Sequence, residues 1–191
     1  MLTDADLMRA HQLGDKNAFE ELINRHQNGL LNFFYRLVHD RELAEDHTQE
    51  VFLKIYLHAD SYRQEAKFTT YLYRVAKNCW IDQLRKTKRR GYVHSLDKEF
   101  ENGVNLYERL AADTKEPGAR LEEKDRAAVI EEAIQSLPEE QRVVFVLAEV
   151  QEMKYADIAE TLDVPVGTVK SRMHVATRRL RELLENKGLS I

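Results

Sequence analysis

The sequence predicts an all-α protein made of two small helical domains joined by a flexible acidic linker. Only 7 glycines and 3 prolines occur among 191 residues, and none lies between Leu30 and Arg90. Ordinary usage of these two residues is about 12%, so turns are scarce, and apolar residues recur at helical spacing in both halves of the chain. We expect the first domain at residues 1–90, the linker at 91–120 and the second domain at 121–191.

Composition indicates the compartment in which the protein works. A single cysteine, Cys79, cannot form an internal disulfide or a thiolate-rich metal site, which favours a reducing compartment. The first ten residues lack the basic start and apolar core of a signal peptide, and no apolar run approaches the roughly 18 residues of a membrane span. We therefore expect a soluble, cytoplasmic protein without membrane insertion.

The net charge of −4 conceals two basic blocks in an acidic chain. Residues 1–62 hold 6 basic and 11 acidic side chains, whereas residues 63–92 hold 9 basic and 2 acidic ones. Residues 168–191 form the second block, with 6 basic and 2 acidic side chains. Clustered cations are the electrostatic signature of nucleic-acid binding, so each domain is predicted to carry one such surface.

Four helices are expected in the first domain. Thr3 and Asp6 have N-cap spacing, and Gly14 ends this short helix. A second helix runs from about Phe19 with an apolar face at Leu22, Ile23, Leu30, Leu31, Phe34 and Leu37. The third spans about Arg41–His58, a loop follows at 59–67, and the fourth runs from Phe68 to about Lys86.

The third helix is predicted to expose a mixed acidic and apolar face. Its inward positions are Leu43, Val51 and Ile55, whereas a different face carries Glu42, Asp46, Gln49 and Leu53 at steps of four, three and four residues. A leucine among exposed carboxylates indicates a protein partner.

The fourth helix is predicted to present a cationic face with aromatic edges. Phe68, Leu72, Val75 and Cys79 form its core positions, while Arg74, Asn78 and Arg85 fall together elsewhere, beside Tyr71. The run RKTKRR at residues 85–90 follows. A solubilising helix end is the alternative interpretation of this run; beside Arg74 and Asn78, a DNA surface is the better one.

The second domain is predicted to end in a helix-turn-helix. A helix at Glu122–Gln135 leads to Ser136, taken as the cap of the next helix, whose apolar side is Val143, Val144, Leu147 and Val150. Residues 155–172 then have helix-turn-helix spacing, with the turn at Asp163–Val164. The second helix buries Val169, Met173, Ala176 and Leu180 and exposes Lys170, Ser171, His174 and Arg178, with Arg172 and Arg179 on the flanks. The alternative interpretation of Arg178–Arg181 is a solvated helix end, because basic residues near a helix C-terminus interact favourably with the helix dipole.

These blocks resemble the extracytoplasmic-function (ECF) group of bacterial RNA polymerase sigma factors, which retain only regions 2 and 4 of the larger sigma architecture. The first block is AEDHTQEVFLKIY followed by FTTYLYRVAKNCWIDQLRK, and the second is YADIAETLDVPVGTVKSRMH followed by RRLRELL. The resemblance covers roughly Asn17–Arg90 and Leu121–Glu185.

The resemblance implies an alternative sigma factor that directs core RNA polymerase to specific promoters in response to stress. It assigns contact with the β′ clamp helices of polymerase to Asp46, Gln49, Glu50 and Leu53. It assigns minus-ten DNA to Tyr62, Arg63, Tyr71, Arg74, Asn78 and Arg85. It assigns minus-thirty-five DNA to Thr168, Lys170, Ser171, Arg172, His174, Arg178 and Arg179. It also implies an anti-sigma factor as a partner.

The sequence departs from the family pattern at three positions. Asp163 stands where glycine is frequent, Tyr71 where tryptophan is common, and Val175 where arginine is common. Aspartate tolerates a left-handed backbone better than most residues, so the turn is expected to survive. An arginine side chain can hydrogen-bond guanine through two donors and a valine cannot, so Val175 is expected to alter which promoter bases are recognised.

Catalysis is not indicated by any motif. The chain has no glycine-rich phosphate loop, and its histidines lack metal-ligand spacing, so no catalytic residue, metal or cofactor is expected. Two other hypotheses stay open: a two-domain helix-turn-helix transcription regulator that binds DNA without polymerase, and a catalytic helical protein with an incidental basic surface. Binding to core polymerase distinguishes a sigma factor from such a regulator.

Overall fold

The computed structural model describes residues 2–64, 66–89 and 117–189, with side chains at 2–64, 66–85 and 126–189. All of its regular elements in these ranges are helical. The α-helices are α1 (Asp4–Gln12), α2 (Lys16–Val38), α3 (Arg41–Leu57), α4 (Phe68–Arg89), α5 (Pro117–Gln135), α6 (Glu139–Phe145), α7 (Tyr155–Leu162) and α8 (Val166–Asn186). A 3₁₀ turn at Ala59–Ser61 follows α3, and a π-helical segment at Val146–Val150 continues α6.

The N-terminal bundle comprises α1–α4, and each of its first three helices begins at a side-chain cap. Thr3 and Asp6 form a reciprocal capping box, which confirms the predicted start of α1. Asp15 accepts from the backbone N–H groups of Asn17 and Ala18 at the start of α2. Asp40 accepts from the Leu43 N–H at the start of α3. The caps satisfy backbone donors that have no partner within the helix.

The core of the N-terminal bundle lies around α2. Phe33, Phe34, Leu22 and Leu30 on this helix are fully buried, as predicted for three of the four, and the rings of Phe33 and Phe34 meet edge to face at 5.3 Å. Helix α4 contributes Phe68, Leu72, Ala76 and Cys79. On α3 the register differs slightly from the prediction, because Leu43 is half-buried while Ala44, His47 and Thr48 are buried beside Val51 and Ile55.

The C-terminal bundle comprises α5–α8 and contains the predicted helix-turn-helix. The turn between α7 and α8 passes through Asp163, which adopts the left-handed conformation at φ 57° and ψ 49°. The four predicted core positions of α8, Val169, Met173, Ala176 and Leu180, are all buried. These residues pack α8 against α6 and α7 and thereby fix which of its faces points outward.

Two sequence expectations for this bundle are wrong in detail. Helix α5 begins at Pro117, where the sequence predicted Glu122. Ser136 does not cap α6: its hydroxyl donates to the Ala133 carbonyl at 2.6 Å, and Pro138 is the residue that precedes the helix. Helix α6 begins at Glu139 with Pro138 at the N-cap position, where no side chain accepts a hydrogen bond from the helix.

The two bundles pack directly against each other. Their buried apolar side chains form one continuous core. Hydrogen bonds and ion pairs that cross between them include Arg36–Glu131, Arg36–Gln135, Leu37–Arg142, Gly29–Gln151, Tyr73–Gln151, Lys67–Asp157, Arg74–Glu160 and Trp80–Glu139. Most of the predicted linker, residues 91–116, lies outside the described residues, as does the end of the basic run at Arg90. Within the described part of the chain, no helix has both the length and the apolar composition needed to cross a bilayer.

Candidate nucleic-acid interface

The predicted outer face of α3 is exposed. Glu42, Asp46, Gln49 and Leu53 all point away from the core, and Leu53 keeps 57% of its surface. Glu50 lies at the edge of this face, where its carboxylate accepts the Lys54 ammonium at 2.8 Å. The face extends further than the sequence analysis proposed, because Leu57, one helical turn beyond Leu53, is 65% exposed. The apolar residue four positions after Leu53 was the signal for this extension.

A buried histidine supports this face from beneath. His47 is 3% exposed, and its ring lies 5.1 Å from that of Phe34 and 6.1 Å from that of Trp80. Burial lowers the pKa of His47, although Glu50 and Asp46 oppose this shift. Its Nε2 has no hydrogen-bond partner among the described residues. The neutral ring therefore acts as a packing group that joins α2, α3 and α4.

The loop before α4 packs on a cluster of aromatic rings that meet edge to face or tilted. Tyr62 is only 6% exposed, with its ring 5.1 Å from Tyr71 and 6.2 Å from Phe68. Gln12 donates to the Tyr62 carbonyl at 3.2 Å, and Arg63 donates to the Asp60 carbonyl at 2.8 Å. Burial raises the pKa of Tyr62. The structure thus places Tyr62 inside the aromatic cluster and Tyr71 at its half-buried edge.

The cationic face of α4 forms as predicted, since Arg74, Asn78 and Arg85 are all exposed. Acidic residues of the C-terminal bundle lie over part of it. Arg74 pairs with Glu160 at 2.9 Å, and Lys67, in the loop before α4, pairs with Asp157 at 2.6 Å. Arg85, by contrast, has Asp82 of its own helix at 3.8 Å.

Helix α8 presents its predicted donors on one outer surface. Lys170, Ser171, His174, Arg178 and Arg179 are exposed along the helix. The Ser171 hydroxyl donates to the Thr168 carbonyl at 3.0 Å, and Thr168 is half-buried. Arg172 turns back and pairs with Glu140 at 2.5 Å. Lys170, Ser171 and His174 are therefore exposed in the first half of α8, the part of a recognition helix that enters the major groove.

The contact between the bundles involves residues that the sequence analysis missed. Tyr73 is 5% exposed and donates its hydroxyl proton to Gln151 Oε1. Gln151 Nε2 in turn donates to the Gly29 carbonyl at 3.1 Å. Gly29 was the available signal, because an isolated glycine inside a long helix often marks a close approach of another chain segment. Among the described residues, no cluster of His, Cys, Asp and Glu is suited to hold a metal ion.

Two family descriptions match this chain. Residues 22–90 match Sigma-70 region 2, and residues 127–180 match Sigma-70 region 4. The first range contains the α3 face and the α4 cations, and the second contains the helix-turn-helix.

Characterised relatives are similar along nearly the whole chain. The ECF RNA polymerase sigma factor SigW of Bacillus subtilis is 34% identical over 173 residues, which cover 91% of this chain and 92% of SigW. The ECF RNA polymerase sigma-E factor of Escherichia coli K12 is 34% identical over 190 residues, covering 97% and 94% of the two chains.

Solved structures have the same fold. CnrH, in complex with the cytosolic domain of CnrY, matches with a TM-score of 0.69 and 22% identity over 96% of this chain and 97% of CnrH. RpoE of Bartonella quintana, in complex with the anti-sigma factor NepR, matches with a TM-score of 0.69 and 22% identity over 87% and 96% of the chains. Because both sigma regions and full-length relatives match, the chain belongs to the ECF group of RNA polymerase sigma factors.

Proposed function

We propose that this protein is an alternative sigma factor that binds core RNA polymerase and directs it to specific promoters. One observation carries the proposal: an exposed acidic and apolar face on α3 lies apart from two cationic helices, α4 and α8, that belong to different bundles. A regulator that only binds duplex DNA needs one of these cationic helices. The combination of all three surfaces fits a subunit that joins polymerase to two promoter elements.

Polymerase binding is proposed for the α3 face formed by Asp46, Gln49, Glu50 and Leu53. The β′ clamp helices are the partner that the family assigns to this position. Exposed carboxylates orient the partner and raise the rate of association, while the exposed Leu53 supplies apolar surface that becomes buried on binding. His47 and Trp80 pack beneath the helix, with their ring centroids 6.1 Å apart.

Minus-ten recognition is proposed for the loop and the outer face of α4. An unstacked base needs an aromatic or planar surface and nearby cations for its phosphates. Arg63, Tyr71, Arg74, Asn78 and Arg85 provide these groups, and Tyr62, buried under the loop, is proposed to act by holding Tyr71 in place.

Minus-thirty-five recognition is proposed for the start of α8. Lys170, Ser171 and His174 are positioned to meet base edges, whereas Arg178 and Arg179 suit phosphates. Thr168 lies at the first turn, beside these groups. Arg172 is bound to Glu140, so it must exchange this ion pair for a phosphate if it contacts DNA.

An anti-sigma factor is the further partner that we propose. The structure of RpoE of B. quintana contains the anti-sigma factor NepR, and that of CnrH contains the cytosolic domain of CnrY. Their fold is shared by this chain, which supports a regulator of the same kind.

Co-elution with purified core RNA polymerase tests the polymerase contact. The unaltered chain is expected to elute with core polymerase during size-exclusion chromatography, and Asp46→Ala/Gln49→Ala is expected to weaken this association about ten-fold or more. Glu20→Ala/Asn24→Ala is the matched control, because it removes one exposed carboxylate and one exposed amide from α2. DNA binding by a chain that never elutes with polymerase would instead indicate the helix-turn-helix regulator.

A further inference from the structure

Helix α1 contacts both ends of the loop that precedes α4, residues 59–67. It packs on the N-terminal bundle through Leu7 and Met8, which are buried. The range that matches Sigma-70 region 2 begins at residue 22, so α1 lies outside this match. The polymerase and DNA surfaces proposed above contain no residue of α1, and its contacts with the loop therefore call for a separate explanation.

Gln12, in the last turn of α1, holds the beginning of the loop. Its side-chain Nε2 donates to the Ala59 carbonyl at 2.7 Å and to the Tyr62 carbonyl at 3.2 Å. These carbonyls belong to the 3₁₀ turn that starts the loop, where the Tyr62 N–H donates to the Ala59 carbonyl at 3.0 Å. One amide of α1 thus fixes a turn that lies 47 to 50 residues further along the chain.

The position of the Tyr62 ring depends on this amide. The ring is buried against Phe68 and Tyr71, yet its hydroxyl has no hydrogen-bond partner among the described residues. Since the side chain has no polar anchor, packing and the backbone decide where the ring lies. Gln12 holds that backbone at the Tyr62 carbonyl. A shift of the turn would therefore move the ring against Tyr71, the residue proposed to meet an unstacked base.

The amino end of α1 holds the other end of the loop through a histidine. The Asp4 carboxylate lies 2.8 Å from His26 Nε2 and accepts from Arg25 at 3.0 Å. The His26 ring in turn lies 5.2 Å from that of Phe68, the first residue of α4. Arg25 also donates to the Leu2 carbonyl at 2.9 Å. The start of α1 is thereby fixed on α2, beside the aromatic residue at which the loop ends.

The length of α1 separates these two contacts. The helix has nine residues, so Asp4 and Gln12 lie about 12 Å apart along its axis. A reciprocal capping box of Thr3 and Asp6 stabilises its first turn. A loop that is held at both ends has fewer conformations available, and a group already held in its binding geometry loses less entropy when a ligand binds.

We propose that α1 is a positioning element of the single-strand DNA site: Gln12 sets the position of the turn that carries Tyr62, and Asp4, through His26, fixes the start of α4. This inference rests on the proposed function, because it takes the loop and α4 as the surface that receives an unstacked base. Gln12 and Asp4 do not touch DNA in this proposal. They act on it through the aromatic cluster, and above all through Tyr71.

Hydrogen–deuterium exchange on the full chain tests the contact of Gln12 with the loop. Gln12→Met keeps the approximate volume of the side chain and removes both hydrogen bonds, so exchange of the Ser61 and Tyr62 amides should become about fivefold faster. Gln27→Met is the matched control, because it makes the same change at an exposed glutamine of α2. It should leave the exchange of both amides unchanged.

The same measurement tests Asp4 at the other end of the loop. In the first turn of α4, the Tyr71 N–H donates to the Lys67 carbonyl at 3.2 Å. Asp4→Ala releases His26 and should make exchange of the Tyr71 amide about threefold faster. Glu20→Ala, which removes an exposed carboxylate from α2, should leave this amide unchanged.

Single-strand binding tests the consequence for DNA. Fluorescence anisotropy with a random-sequence single-stranded oligonucleotide pool should show about threefold weaker binding for Gln12→Met and no change for Gln27→Met. Tyr71→Leu removes the ring and should weaken binding about fivefold or more. The double variant Gln12→Met/Tyr71→Leu should bind as Tyr71→Leu does, because Gln12 acts through Tyr71. A substitution that only destabilised the bundle would weaken binding by the same factor with and without the ring.

The outcomes separate this proposal from the proposed function, since none of these measurements uses polymerase. Unchanged exchange at Ser61 and Tyr62 in Gln12→Met overturns the role of Gln12, and unchanged exchange at Tyr71 in Asp4→Ala overturns that of Asp4. The DNA role is overturned if the unaltered chain binds no single strand, if Gln12→Met binds normally, or if its loss persists without the Tyr71 ring. If the positioning role is observed and core polymerase does not bind, the proposed sigma function fails while the role of α1 stands.

Discussion

Gln151 Nε2 donates a hydrogen bond to the carbonyl oxygen of Gly29 at 3.1 Å, so that a residue of the C-terminal bundle is bound to the middle of the longest N-terminal helix. The same amide accepts from Tyr73, which is buried between the bundles. The two sigma regions therefore share a polar contact as well as an apolar core.

Removing this amide is expected to lower the free energy of unfolding. Gln151→Ala leaves the buried Tyr73 hydroxyl without an acceptor, which costs about 1–3 kcal/mol. Tyr73→Phe deletes the hydroxyl together with its need for a partner, so it should cost only about 1 kcal/mol. Urea denaturation of the two single variants and the double variant measures the coupling energy between Tyr73 and Gln151. Losses of unfolding free energy that simply add in the double variant would contradict the hydrogen bond.

The turn of the helix-turn-helix is expected to become more stable with glycine at position 163. Asp163 has a φ of 57°, a conformation that costs most residues about 1–2 kcal/mol and glycine almost nothing. Asp163→Gly should therefore raise the unfolding free energy by up to about 1 kcal/mol, and Asp163→Val should lower it by more. Thermal denaturation gives both values. A stabilising valine would show that the left-handed turn does not persist in solution.

Stability is expected to fall as the pH drops below the usual histidine pKa of 6.5, because burial lowers the pKa of His47 in the folded protein. The unfolded chain then binds a proton that the folded chain excludes, so the contribution of His47 is present above 6.5 and is lost as the pH falls towards its folded pKa. His47→Gln should flatten this part of the curve of unfolding free energy against pH. His58→Gln, at an exposed histidine, should leave the slope unchanged.

Substitutions on α8 are expected to separate base recognition from phosphate binding. Lys170→Ala should change the preferred bases at one position and cost about 1–3 kcal/mol on the preferred site. Arg179→Ala should weaken binding to every duplex alike and reduce the salt dependence by about one ion. Selection from a randomised duplex library at two salt concentrations measures both effects. Lys187→Ala is the control, since Glu132 already pairs with this lysine at 2.5 Å.

Much of the fold was predictable because a helix that packs on one side only has apolar residues at regular helical spacing in the sequence. The exposed α3 face, the α4 cations and the four core residues of α8 all follow from spacing at 100° per residue. The ion pairs of Asp157 and Glu160 with the N-terminal bundle could not be predicted, because two acids one turn apart are typical of a solvated helix face. Their cationic partners are 90 and 86 residues away in the chain, beyond the reach of any local pattern.

The burial of Tyr62 is a second feature that the local sequence does not indicate. Tyr62 lies in a loop and next to an arginine, which favours exposure, yet its ring fills the space between Phe68 and Tyr71. Gln12, 50 residues earlier, holds its carbonyl in place. Long-range packing of this kind decides which aromatic residue of a cluster reaches solvent, and the sequence does not encode it locally.

Run-off transcription with purified core RNA polymerase on a library of genomic fragments tests the central claim most directly. The account predicts start sites that appear only when this protein is added, that are lost with Asp46→Ala/Gln49→Ala, and that persist with Glu20→Ala/Asn24→Ala. Mapping these starts also identifies the two promoter elements. The same starts with and without the protein, across the whole library, would contradict a role as a sigma factor.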